Sequence, residues 1–95
     1  MTSYVLVFRM PTGAPSTPEQ DAAWGAWFQT LGGAVADLGH RVGHTTTLGV
    51  KPAQALGGYV IINADDMTHA TDLAKGCPGL QHGGSVEIGE TVEAT

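Results

Sequence analysis

Cys77 and His82 stand five residues apart in the stretch LAKGCPGLQHGGSVEI, and a thiol beside a titratable base is the pairing a thiolate nucleophile would need. The chain has no other cysteine. An isolated cysteine usually packs as a small hydrophobe, which makes burial the better reading of Cys77 and leaves His82 as the titratable candidate. Arg9 interrupts an otherwise apolar run near its end, a position from which a guanidinium either snorkels to solvent or binds an acid. Asp37 is the polar residue within AVADLG and is placed to pair with Arg9 or with a histidine. Trp24, Trp27 and Phe28 follow one another at helical spacing, and an aromatic stripe of that kind makes a core wall or the wall of a ligand cavity. The candidate site is therefore His82 and Asp37 as catalytic groups, with Arg9 and Trp24 as substrate-binding groups.

Other constellations have structural explanations. His40 and His44 would share a face only on a helix. The Arg-Val-Gly between them does not favour one, and in extended chain four residues span about 13 Å, too far for shared coordination. No metal or other cofactor is expected. Asp65 and Asp66 precede an apolar helical stripe, where a carboxylate is first of all an N-cap. Fourteen glycines include no phosphate-binding loop and no nucleophile elbow.

The elements that must position these residues are short. Tyr4 to Met10 reads as a strand, apolar on both of its faces apart from Arg9. The tract PTGAPSTP breaks the chain, and Thr17, Pro18 and Gln20 then supply a cap, a first-turn proline and a capping-box partner in order. The stripe Ala23, Trp24, Trp27, Phe28, Leu31 predicts a helix that Gly32 and Gly33 stop, with Gly25 tolerated inside it. AVADLGH and TTTLGV read as two short strands joined through Arg41 to His44. Tyr59 to Ala64 is a second strand apolar on both faces. Met67, Ala70, Leu73 and Ala74 mark a second helix, with Asp72 and Lys75 one turn apart on its outer side. Gly76 is expected to stop that helix at positive φ and Pro78 to prevent its continuation. Val86, Ile88 and Val92 close the chain as a half-polar strand.

Ninety-five residues with 42% hydrophobic and 14% charged side chains make one domain, residues 1–95, with a single core. The apolar runs VLVF and YVII are far below the roughly 18–20 residues of a membrane span. A net charge of −5, with four Lys and Arg that never cluster, gives no footprint for nucleic acid. The start MTSYVLVFRMPTG has no basic residue ahead of its apolar run, and one cysteine cannot form an internal disulfide. Both point to the cytoplasm.

Strand, helix, two or three strands, helix, strand is the order of an antiparallel sheet with both helices on one face, a ferredoxin-like α+β fold. Strands apolar on both faces then need cover on the bare side as well. A homodimer joined sheet to sheet is expected.

Taken together, YVLVFRM, AAWGAWFQTLG, LGGYVIINADD and ATDLAKGCPGLQHGGSVEI resemble the YCII-related, or DGPF-domain, family of small bacterial proteins across nearly the whole chain. The resemblance implies a dimeric α+β barrel and a small-molecule pocket. In the family's YCII branch a His on the first helix and an Asp in a D-P step have been proposed as a pair, and relatives include a dehydrochlorinase of aromatic degradation. Here the first helix carries Trp24 and Trp27 without a histidine, the proline step is Cys77-Pro78, and GVKPAQALGGY stands where the DGPF tetrad usually precedes the strand. The resemblance therefore implies a ligand class, a small acidic or aromatic-derived metabolite handled by isomerase or lyase chemistry, rather than a catalytic pair. The alternative is a non-catalytic dimeric interaction or sensor module with a filled interior. Whether the protein is an enzyme stays open at this stage.

Overall fold

The computed structural model describes residues 2–11 and 16–92, so the centre of the PTGAPSTP break lies outside the described residues. The elements run β1 (Thr2–Met10), α1 (Pro18–Leu31), β2 (Val35–Arg41), β3 (Ala55–Ala64), α2 (Met67–Ala74) and β4 (Ser85–Glu90). Short 3-10 turns occupy Gly32–Ala34 and Pro78–His82. The strands form one antiparallel sheet in the order β2-β3-β1-β4, the ferredoxin-like α+β arrangement. Among the described residues no helix is long and apolar enough to cross a membrane.

Local chemistry sets the helix starts. At the head of α1 the Thr17 hydroxyl accepts from the Gln20 N–H (3.2 Å), and the Gln20 side-chain oxygen accepts from the Thr17 N–H (3.1 Å). Pro18 follows at the first helical position, where its missing N–H is not needed. α2 begins on Asp66, whose carboxylate accepts from the His69 N–H (2.8 Å), and Lys75 meets Asp72 at 3.1 Å on its outer side. Gly25 faces open space, so its place inside α1 is tolerated and serves no close contact. Gly76 has a role other than the expected one. Its φ is not positive; a Cβ there would lie 2.9 Å from Cδ1 of Trp27, so the position needs a glycine for room.

One face of the sheet carries the core. Tyr4, Leu6 and Phe8 of β1 and Val60, Ile62 and Ala64 of β3 are buried against Trp27 and Leu31 of α1 and Ala70 and Ala74 of α2. Both helices contribute to that one cluster, which places them on the same face. The intervening residues of β1 and β3, Val5, Val7, Tyr59 and Ile61, face the other way and are only half-buried.

The middle of the chain differs from the sequence reading. AVADLGH forms β2, but TTTLGV forms no strand, and Leu48 and Val50 are 94% and 95% exposed. β3 starts four residues earlier than expected, at Ala55, and one of its edges is taken by β1 and the other by β2. The Val42 N–H bonded to the Gly57 carbonyl (3.0 Å) continues that pairing just past β2. Residues 45–50 therefore do not pair with β3, and apolar content alone does not make a strand.

Candidate functional site

All of the chain's tryptophan and phenylalanine gathers in one cluster. Phe8 meets Trp24 edge-on at 4.9 Å and Trp27 edge-on at 5.7 Å, and Phe28 lies 5.2 Å from Trp27, separations at which aromatic pairs attract beyond simple burial. The two ends of the cluster differ. Trp27 is 5% exposed and its indole N–H donates to the Leu73 carbonyl (3.2 Å), tying α1 to the end of α2. Trp24 and Phe28 are half-buried and open onto a cavity of about 900 Å³.

Residues of β1, α1, β2, β3 and the second 3-10 turn wall this cavity, with Gly57 and Tyr59 coming from β3. α1 supplies Gln20, Asp21, Trp24 and Phe28, and the end of β1 supplies Phe8 and Met10. The last residues of β2, from Leu38 to Arg41, and Val42 just past it form a further side, and His82 enters from the second 3-10 turn. The volume lies within the usual range for small-molecule sites, which are mostly apolar with a few polar groups that fix orientation.

Trp24 and His82 are thus brought to one cavity. Arg9 does not join them: Phe8 and Met10 on either side of it face the cavity, and strand alternation turns Arg9 to the outer face of the sheet. Asp37 does not join them either. It is paired with Ile61, whose partner on β1 is Val5, and this row belongs to the outer face. Its carboxylate accepts from the Gly39 N–H (2.8 Å), a local turn bond, and it makes no ion pair with Arg9 or a histidine. His40 sits opposite Tyr59, with ring centroids 6.1 Å apart; register puts this row on the outer face, and both residues also border the cavity. Among the described residues no three His, Cys, Asp or Glu side chains converge as a metal site would require.

Cys77 is 2% exposed, and burial pushes its thiol pKa up, partly offset by hydrogen bonds from the Gly79 and Leu80 backbone. A raised pKa means less thiolate, the reverse of what a nucleophile needs. The glycine-rich link around it is shaped for packing. A Cβ at Gly79 would lie 3.2 Å from Trp24, so the link lies close against the aromatic wall. Gln54 holds the far side of the link, donating to the Gly83 carbonyl (2.7 Å) and accepting from the Ser85 hydroxyl (3.2 Å). These bonds fix the backbone next to His82.

Arg41, Asp21 and Gln54 had no signal of their own in the sequence. Arg41 becomes visible only through sheet register: it lies opposite Gly58, which lies opposite Phe8, and that row belongs to the cavity side. The second bulge in β2, between Asp37 and His40, contains Gly39, which has φ 66° and leaves no room for a Cβ against the Tyr59 carbonyl oxygen.

The sequence matches no family model and no curated protein.

Proposed function

We propose that this protein binds a small acidic or aromatic-derived metabolite in the cavity shared by Trp24 and His82, as a cytoplasmic homodimer of the YCII-related type. The observation that carries the reading is the cavity itself: an aromatic wall of Phe8, Trp24 and Phe28 with the imidazole-bearing His82 on its rim. A non-catalytic module with a filled interior fits less well, because side chains of the described residues leave about 900 Å³ beside His82 unfilled. Isomerase or lyase chemistry rests on the family resemblance alone, with His82 as the candidate proton carrier.

The outer face of the sheet supports the dimer reading. Val5, Val7, Tyr59 and Ile61 form a half-buried apolar stripe, with Arg9, Asp37 and Glu87 around it. An apolar centre with a charged rim is the usual composition of a protein interface. Arg9 and Asp37 then belong to the rim of that interface.

A thermal-shift screen of small carboxylic and aromatic compounds tests the pocket, since a ligand that binds only the folded state raises Tm. Hits should lose most of their shift in Trp24→Ala and His82→Ala. Unchanged shifts in both variants would remove this cavity as the site. Sedimentation of the wild type at micromolar concentration should give a dimer, and a stable monomer would reject the sheet-to-sheet assembly.

A further inference from the structure

The proposed pocket has a cationic group that pairs with nothing else in the chain's described part. Arg41 lies on the row Phe8, Gly58, Arg41 that crosses β1, β3 and β2, and so shares the sheet face that carries Phe8. It lines the same cavity as Trp24 and Phe28 of α1. Among the described residues the ion pairs are Lys75 with Asp72 and His69 with Asp65, and neither involves Arg41. The protein as a whole carries nine acidic against four basic side chains, so an unpaired guanidinium beside an aromatic wall runs against its general charge. The acid in the cavity lining, Asp21, belongs to the first turn of α1, where a carboxylate is favoured by the helix end itself.

Resting on the reading of this cavity as a ligand site, we infer that Arg41 recognises the carboxylate of a planar aromatic acid whose ring lies against Trp24 and Phe28. A guanidinium offers a carboxylate two parallel N–H donors, so it fixes both the position and the plane of the acid. The aromatic wall supplies the apolar contact on the other side. The cavity, at about 900 Å³, is large enough for a bicyclic ring system with its acid group.

The test uses three probes of one shape, titrated calorimetrically into the full-length protein: 2-naphthoate, 2-naphthamide and 2-naphthylmethylammonium. Naphthoate should bind at least about tenfold more tightly than the amide, and the cation should bind no better than the amide. Arg41→Gln should remove that tenfold preference and leave amide binding unchanged, whereas Arg9→Gln, on the opposite face, should alter neither. Thermal melts of the unliganded variants check that each still folds. If all three probes bind equally and Trp24→Ala weakens them all, the aromatic pocket stands and the role of Arg41 falls. If the cation binds best, the role falls and Asp21 becomes the recognising group. If no probe binds at millimolar concentration, the pocket reading falls with it.

Discussion

Trp24 and Trp27 sit one turn apart on the same helix and touch the same phenylalanine, yet they have opposite fates. Trp27 is closed in by α2, by Gly76 and by the Leu73 carbonyl that accepts its N–H. Trp24 borders the cavity, whose lining, among the described residues, includes the bulged end of β2 and no residue of α2. The difference shows that an aromatic stripe does not declare whether it is core or binding wall. What decides is the neighbour across from each ring, a helix for Trp27 and a sheet edge for Trp24.

The comparison is broken most severely by removing each ring in turn. Trp27→Ala should cost about 3–5 kcal/mol in urea denaturation, the usual range for a large buried aromatic, and leaves the Leu73 carbonyl without its donor. Trp24→Ala should cost only about 1–2 kcal/mol, because Trp24 is only partly buried, while it removes ligand binding. Equal losses of stability from the two substitutions would mean that the Trp24 end is core as well.

A smaller effect sharpens the same contrast from the sheet side. Gly39→Ala forces a side chain into positive φ and against the Tyr59 carbonyl, and should cost about 1–3 kcal/mol. Because Gly39 sits between Leu38 and Arg41, ligand affinity should fall together with stability, and the Trp27 end should keep its packing. Near-ultraviolet circular dichroism, which reports on packed tryptophan, would detect a wider disturbance, and an unchanged ligand affinity would show that the bulge does not shape the cavity.

The smallest expected effect concerns pH. The Cys77 thiol has its pKa raised by burial from an ordinary value of 9.0, so the native state holds its proton more tightly than the unfolded chain does. Its contribution to stability is complete below pH 9 and is lost as pH rises from there through the native value. Cys77→Ala should therefore show a shallower fall in stability above pH 9 than the wild type, measured by denaturant titration across that range. Identical slopes would mean that the thiol ionises freely in the folded state.

Much of the scaffold was legible before the fold was known. The capping box at Thr17 and Gln20, the aspartate cap of α2 and the two-faced apolar strands all act within a few residues, so they read directly from spacing. The candidate site was legible only by halves. Trp24 and His82 share a cavity, whereas Arg9 and Asp37 lie on the other side of the sheet. Asp37 shows why. Two residues beyond Val35, it would share the face of Val35 in a regular strand, but the extra residue Ala36 turns it over.

The helix starts, the position of the core stripe and the two-faced apolar character of the central strands follow from the amino-acid sequence, because each depends on local capping or on periodicity. Which charged groups share the aromatic cavity was decided by tertiary structure. Facing is a matter of register between strands far apart in sequence, and the bulges of β2 set that register without any periodic signal along the chain.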